Sequence, residues 1–314
     1  MRDGAGGGSE GVIRMNRPEK IRGRTGAVLL AGIVFFAAFA SCTKQSPPQK
    51  PVIRTTKAFD ATFGDISSMP LPGPAYATIA YFPSSLEPNR FRPLPIISVD
   101  PGKEEALAVR TVIRGIEAGE GPADALQKEI VHPFPPGSEL VSLSYDGGLA
   151  KVTVGGSFRA EGLSAAQKEK AAKALALTVS QFGKADKVEV ADGKGAGRFG
   201  ADARGAEVVD VGPPKVLGLM AIREEEAQPP VVLSVLFDRP VFVEEAVFYA
   251  PGGTRPGSGK VYSTAFGMTL EFHPEPKTSF DPGKEYRVRL SVRDGKGRKT
   301  SEDRNWRPKV VTRH

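Results

Sequence analysis

Residues 140–154 read LVSLSYDGGLAKVTV, two runs of apolar and polar residues on either side of Asp146-Gly147-Gly148. In the second run every other side chain is apolar, from Ala150 through Val152 to Val154. Alternation of this kind is typical of a strand with one buried face, and Gly-rich pairs favour tight hairpin turns. The stretch therefore predicts a β-hairpin that packs on a core.

The hairpin lies in the middle of a longer series of predicted elements. Two strands precede it, over 77–82 and 94–99, and a helix over 104–116 follows them because its apolar residues recur at helical spacing. A capping box at Ser164–Gln167 opens a second helix, which ends at Gly183, and a strand over 187–191 completes the series. The order predicts an α+β domain, in which two helices pack on one mostly antiparallel sheet.

The chain beyond Pro213 shows no helical period. Short strand-like runs recur there between Pro- and Gly-rich turns, at 231–237, 246–249, 260–263, 268–272 and 286–292. This spacing predicts a small all-β sandwich. The division expected for the whole chain is a signal peptide (1–41), a Pro-rich tether (42–74), an α+β domain (75–194), a Gly/Ala-rich linker (195–213), a β domain (214–300) and a basic tail (301–314), whose structure the sequence leaves open.

The chain has one cysteine, Cys42, at the end of an apolar run over 27–40 that follows several basic residues. This arrangement is typical of a secretory signal, and Phe39-Ala40-Ser41-Cys42 resembles the lipobox of bacterial lipoproteins. The resemblance implies lipid transfer to the Cys42 thiol, cleavage before Cys42 and acylation of the new N-terminus, palmitate included. An uncleaved membrane anchor or an ordinary signal peptide is the alternative, but a spanning helix needs about 20 apolar residues.

Export and processing limit the functions that the chain can have. Residues 1–41 carry six basic and three acidic side chains, so their removal lowers the net charge from +7 to +4. This dispersed excess does not predict nucleic-acid binding, which needs a concentrated basic face. We expect an extracytoplasmic protein on a bacterial membrane. In a diderm cell, the resemblance to bacterial lipoproteins implies the outer membrane, because Thr43 and not Asp follows the cysteine. The Gly-rich lead before Met15 adds nothing to the signal, which indicates that translation starts at Met15.

Residues 75–194 resemble the GerMN domain of sporulation and spore germination proteins. The resemblance lies in the motifs Tyr81-Phe82-Pro83, Pro136-Gly137-Ser138-Glu139-Leu140, the hairpin turn, and Thr178-Val179-Ser180-Gln181-Phe182. It implies a binding or assembly role at the interface of membrane and cell wall. The segment 119–132 is longer than the Gly-Pro segment usual in this family.

Residues 214–300 resemble a bacterial Ig-like domain of the Big_5 kind. The motifs are Val235-Leu236-Phe237-Asp238-Arg239-Pro240, Phe280-Asp281-Pro282-Gly283-Lys284-Glu285-Tyr286 and Asp294-Gly295-Lys296-Gly297. The resemblance implies that Phe237 points inward and that Tyr286 packs as a corner residue.

No motif in the sequence predicts catalysis or a cofactor. The run from Gly195 to Gly200 matches GxGxxG, but no helix is predicted after it, as a dinucleotide site would need. The three histidines lack a second ligand at metal spacing, and no free cysteine or Gly-x-Ser-x-Gly motif supports nucleophilic catalysis. Glu224–Glu226 is read as a solvated loop, although spacing alone does not exclude paired carboxylates for glycan hydrolysis.

Arg90, Phe91 and Arg92 are the candidate contacts for an anionic partner, on an expected exposed turn. Tyr81, Phe82, Phe91 and Phe134 are aromatic candidates for a groove that holds a glycan or a partner strand, with a core role preferred for Phe82. The sequence thus predicts a non-enzymatic, lipid-anchored envelope protein without cofactor, bound to the membrane through its lipid and to an envelope protein or peptidoglycan. The alternative is an enzyme or accessory protein that acts on peptidoglycan, and a ligand held between the two domains is a third reading.

Overall fold

The computed structural model describes residues 53–69, 73–116, 123–195, 197–253 and 256–312. The predicted signal peptide, the start at Met15 and the lipidation site Cys42 lie outside the described residues. The described residues belong to one compact unit.

The first part of this unit alternates strands and helices. In chain order the elements are β1 (Ile53–Thr55), α1 (Lys57–Phe63), β2 (Ala75–Pro83), β3 (Arg90–Ser98), α2 (Glu104–Arg114), α3 (Ala123–Gln127), β4 (Ser138–Asp146), β5 (Leu149–Gly156), α4 (Ala165–Ser180), β6 (Lys187–Asp192), β7 (Arg198–Asp202) and β8 (Glu207–Val208). The predicted hairpin is confirmed, because β4 and β5 pair antiparallel from Ser138–Gly156 to Asp146–Leu149.

These strands form two sheets, with the orders β1-β2-β3-β8 and β4-β5-β6-β7. The predicted single sheet with two helices is therefore wrong: the described residues hold four sheets and four α-helices, and strands predominate. One reason lies in β3, where Pro93 and Pro95 lack the backbone N–H that a further strand would need. Among the described residues, β8 pairs with β3 at only Arg90 and Phe91.

The two sheets share one apolar core with the helices. It includes Ile79 and Phe82 of β2, Val109 and Ile113 of α2, and further buried side chains of α1, α4, β5 and β6. The capping box at Ser164 and Gln167 opens α4 as predicted. Burial of an apolar side chain of this size contributes about 1.5–3 kcal/mol, so the packing of both sheets on the helices dominates the stability of this part.

The side chain of Gln181, just after α4, takes the place of a strand beside β2. Its Oε1 accepts hydrogen bonds from Ile79 N (2.9 Å) and Thr56 Oγ1 (3.0 Å), and its Nε2 donates to Ile79 O (2.7 Å) and Thr178 O (2.7 Å). Thr178 Oγ1 accepts from Tyr81 N at 3.1 Å. The short strand β1 pairs with β2 only at Ala75–Ala77. Residues at the end of α4 and just after it therefore supply hydrogen-bond partners to the part of the β2 edge that β1 leaves open.

The second part of the unit consists of strands. They are β9 (Val216–Arg223), β10 (Val232–Phe237), β11 (Phe242–Phe248), β12 (Gly259–Ser263), β13 (Thr269–Pro274), β14 (Tyr286–Arg293), β15 (Lys299–Trp306) and β16 (Lys309–Thr312). They form two sheets, β12-β13-β10-β9-β16 and β11-β14-β15, whose buried side chains meet in one core. Phe237 lies in that core, and the hydroxyl of buried Tyr286 bonds to the backbone of Asp281, as the resemblance implied.

Two segments expected to lack regular structure contain it, and so does the basic tail, whose structure the sequence leaves open. The predicted tether includes β1 and α1, whose Phe59 and Phe63 are buried four residues apart on one helix face. The predicted linker includes β7 and β8, and the basic tail includes most of β15 and all of β16. A strand or helix this short carries little periodic signal, and the pairing that stabilises it comes from distant residues. No helix among the described residues has the length and apolar composition to cross a membrane.

Replacement of Gln181 tests the role of this side chain at the β2 edge. We expect Gln181→Ala to lower the free energy of unfolding by about 2–4 kcal/mol, because it leaves the N–H and C=O of Ile79 without their partners. Chemical denaturation followed by circular dichroism measures the change. Ser180→Ala is the matched control, since that hydroxyl donates only within its own helix, to Leu177 O. Equal effects of the two substitutions would contradict this account of the edge.

Candidate functional site

The predicted contact residues lie in β3 and not on an exposed turn. Only Arg90 is exposed, and it pairs with Glu87 (2.9 Å) and Glu207 (3.0 Å). Phe91 and Arg92 are 3% and 7% exposed, so they are not available as a surface patch, and the expected placement is wrong. Phe91 and Arg92 are neighbours in β3 and lie on opposite faces of the sheet, so their burial requires packing on both faces, which the flanking Pro and Asn residues did not indicate.

The aromatic side chains predicted to line a groove are buried as well. Tyr81, Phe82 and Phe134 are at most 6% exposed and belong to the first core, so the core reading preferred for Phe82 is confirmed. Burial raises the pKa of Tyr81 to about 12. The GxGxxG segment leads into strand β7 and not into a helix, which contradicts a dinucleotide site. Glu224–Glu226 is exposed, as expected of a loop.

Arg92 instead belongs to a buried group of charges between the two parts of the unit. Its Nη2 lies 3.0 Å from Glu129 Oε2 and 3.5 Å from Asp238 Oδ2. Lys215 contacts both acids, through Nζ to Glu129 Oε1 (2.6 Å) and through its backbone N–H to Asp238 Oδ1 (2.8 Å). The buried Nε of Arg92 has no hydrogen-bond partner among the described residues.

The group continues through Arg239, which is 1% exposed. Its guanidinium donates to both carboxylate oxygens of Asp238, at 3.0 and 2.7 Å, and to Gly212 O at 2.9 Å. Arg239 Nη1 also lies 3.5 Å from Asp294 Oδ2, which accepts a hydrogen bond from Arg298 Nε at 2.7 Å. We call Arg92, Glu129, Asp238, Arg239, Asp294 and Arg298 the buried ion network. Charges this deep are tolerated only when they are paired.

The network also holds the N-terminal segment 53–69. Arg298 Nη2 donates to Thr62 O (2.8 Å), and Lys296 Nζ donates to Ala61 O (2.6 Å). Gly64 and Gly295 form a β-bridge, and a Cβ on either glycine would lie within 2.5 Å of the backbone of the other. The segment expected to be a free tether is thus bound to the second part of the unit.

A cleft with a volume of about 650 Å³ lies on the first part of the unit. Arg114 and Ile116 at the end of α2, Gln127 of α3, His132, Phe134 and Glu139 of β4 are among its lining residues. The glutamine Nε2 donates to the backbone oxygen of Ile116 at 3.2 Å. Open clefts of this size that combine an apolar floor with a few polar groups are the usual sites of ligand binding.

Gly115 sets the position of His132 in this cleft. It ends α2 with a φ of 80°, and a Cβ there would lie 2.0 Å from the His132 Nδ1 atom. On its other side the imidazole meets the edge of Phe82, with 6.2 Å between the ring centroids. Only glycine allows this close approach at a positive φ.

Two oppositely charged groups stand at the rim of the cleft. Arg114 Nη2 and Glu139 Oε1 are 3.8 Å apart, with half or more of each side chain exposed. This distance exceeds that of a hydrogen bond, and within the described residues neither side chain makes one. The described residues contain no group of three or more His, Cys, Asp or Glu side chains placed to hold a metal ion.

No pattern in the sequence predicted this cleft or the buried ion network. The residues of the network are spread along the chain from Arg92 to Arg298, and no fixed spacing in the sequence connects them. One signal was available: Asp238-Arg239 and Asp294 belong to the motifs that carry the Ig-like resemblance, and a charged pair beside an apolar strand is a candidate for burial with partners.

Replacement of Asp294 tests the buried ion network. We expect Asp294→Ala to lower the free energy of unfolding by about 3–5 kcal/mol, because it leaves Arg239 and Arg298 buried without their shared carboxylate. Thermal and urea denaturation measure this loss. The control is Asp303→Ala, which removes an exposed carboxylate that Arg287 contacts twice at 2.7 Å, a surface ion pair that contributes little to stability. A smaller loss for Asp294→Ala than for Asp303→Ala would contradict burial as the source of the effect.

Comparison with known proteins identifies part of the chain. Residues 80–195 match the family model described as Germane: Sporulation and spore germination. This range contains all the cleft residues named above, together with Arg92 and Glu129 of the buried ion network. No curated protein matches the chain. The match covers residues 80–195, and we call this stretch the Germane domain after the family that it resembles.

Proposed function

We propose that this protein is a lipid-anchored, non-catalytic protein of the bacterial cell envelope that binds or assembles other envelope components during sporulation or germination. The match of residues 80–195 to the Germane family carries the proposal, because it connects the part of the chain that holds the cleft to these processes. The β-strand part, residues 214–300, is the Ig-like module in this proposal, and its two sheets around one core support that assignment.

The sequence around Cys42 supports attachment through a lipid. Only ten residues, Thr43 to Val52, separate this cysteine from β1. A fully extended chain of that length spans about 35 Å at most. Since β1 and α1 are packed into the compact unit, a lipid on Cys42 would hold both parts of that unit close to the bilayer and raise their concentration beside envelope partners.

Labelling of living cells with radioactive palmitate tests the anchor. We expect the wild-type protein to incorporate the label and to sediment with membranes, and Cys42→Ser to lose both properties because a hydroxyl is not the acyl acceptor. Ser46→Ala is the matched control, since it alters a nearby polar residue and keeps the thiol. Incorporation of label into Cys42→Ser, or none into the wild type, would contradict lipidation at this site.

Incubation with purified, insoluble peptidoglycan tests the non-catalytic role. We expect that any protein retained by the pellet leaves the polymer intact, so that the soluble fraction gains no sugar or peptide fragments. Mass spectrometry of the supernatant makes this measurement, with a muramidase as the positive control. Release of fragments by the purified protein would instead support the peptidoglycan-acting enzyme considered from the sequence.

A further inference from the structure

The rim of the cleft presents a cation and an anion side by side. Arg114 and Glu139 lie 3.8 Å apart and are largely exposed, so they stabilise each other little. Each keeps its hydrogen-bonding capacity for a ligand, as far as the described residues show. A guanidinium binds a carboxylate with two parallel hydrogen bonds, and a carboxylate accepts hydrogen bonds from an ammonium group.

A ligand that satisfies both groups at once must carry opposite charges a few ångström apart. An α-amino acid group meets this condition, because its ammonium and its carboxylate are attached to one carbon. A polyanion such as a polyphosphate fits poorly, since the charges of Arg114 and Glu139 cancel and Glu139 would repel it. A simple cation also fits poorly, because Arg114 would repel it.

The rest of the cleft has room for more than a single amino acid. Gln127 offers an amide, His132 offers an imidazole fixed between Gly115 and Phe82, and Ile116 and Phe134 supply apolar surface. A side-chain amide pairs well with peptide groups, and the imidazole can donate or accept. A volume of about 650 Å³ is in the range of sites that enclose ligands of several hundred daltons.

We propose that this cleft binds a ligand that bears an α-amino acid group, with the carboxylate on Arg114, the ammonium on Glu139 and any attached peptide chain along Gln127 and His132. The proposal rests on the proposed function, which it deepens by naming the ligand class of the Germane domain. Two sources share this chemistry. One is a cell-wall stem peptide that contains diaminopimelate, whose side chain ends in such a group, and the other is a free amino acid.

Titration calorimetry with the purified chain 43–314 tests the proposal without any lipid. The probe is the tripeptide L-alanyl-γ-D-glutamyl-meso-diaminopimelate, and its lysine analogue lacks only the side-chain carboxylate. We expect the analogue to bind at least about tenfold more weakly, which is the usual cost of one lost charge-assisted hydrogen-bonded contact. Failure of the diaminopimelate peptide and of free amino acids to bind would overturn the proposal.

Variants of Arg114 and Glu139 test whether the preference for the diaminopimelate peptide depends on the cleft. We expect Arg114→Gln to bind the two peptides within about twofold of each other, because the group that distinguishes them is gone. Glu139→Gln is expected to remove the preference for a free over an acetylated side-chain amine. Arg110→Gln is the matched control, since Arg110 is exposed on the same helix, one turn earlier, outside the lining of the cleft. Unchanged preferences in both variants would place the site elsewhere and overturn the proposal.

The outcomes separate the two sources and also separate this proposal from the proposed function. Equal affinity for the tripeptide and for free alanine would assign the site to amino acids, whereas a tenfold gain for the tripeptide would assign it to the cell wall. Gly115→Ala, which forces His132 to move, is expected to weaken the tripeptide more than alanine. Palmitate labelling of Cys42 does not depend on any of these results. Lipidation and ligand binding in the cleft can therefore be tested, and fail, independently of each other.

Discussion

The described part of the chain depends on one constraint, the pairing of buried charges around Arg239. This guanidinium has almost no exposed surface and is held by Asp238 and Asp294. Because an unpaired ion is so costly to bury, the turn after β10 and the turn after β14 must keep their positions relative to each other. Arg92 and Glu129 extend the network into the Germane domain, and Arg298 extends it to the carbonyl of Thr62. One set of charges thereby fixes the relative positions of the Germane domain, the strand-rich part and the N-terminal segment.

The pairing of these buried charges limits how far the segment after Cys42 can extend. A Pro-rich tether would have let the domains move far from the point of attachment, but Phe59 and Phe63 are buried and Gly64 is bridged to Gly295. The chain available to act as a spacer is therefore short. In the proposed lipid-anchored state, the Germane domain would work within a few tens of ångström of the bilayer, where the ends of cell-wall peptides and the outer parts of membrane proteins are both in reach.

The cleft is a consequence of how the Germane domain is built. Glu105 near the start of α2 contacts Tyr145 near the end of β4, and Arg114 at the end of α2 approaches Glu139 at the start of β4. The helix and the strand therefore run antiparallel beside each other, and the charged rim is where α2 ends. Desolvation and the neighbouring carboxylate of Glu105 raise the pKa of Tyr145, so its hydroxyl remains a donor at neutral pH. Gly115 then turns the chain so that His132 can occupy the space beside it.

The sequence by itself determined the local elements: the hairpin at 140–154, the capped helix after Ser164, and the strands between Pro- and Gly-rich turns. Each depends on residues close together in the chain, where periodicity and turn chemistry act directly. Only the tertiary structure decided that the strands of the first part separate into two sheets, that Gln181 replaces a strand beside β2, and that Phe91 and Arg92 are buried. The tertiary structure also decided which charged residues face one another. Ion pairs such as Arg92–Asp238 and Arg114–Glu139 join residues that are far apart in the sequence, so no local pattern connects them.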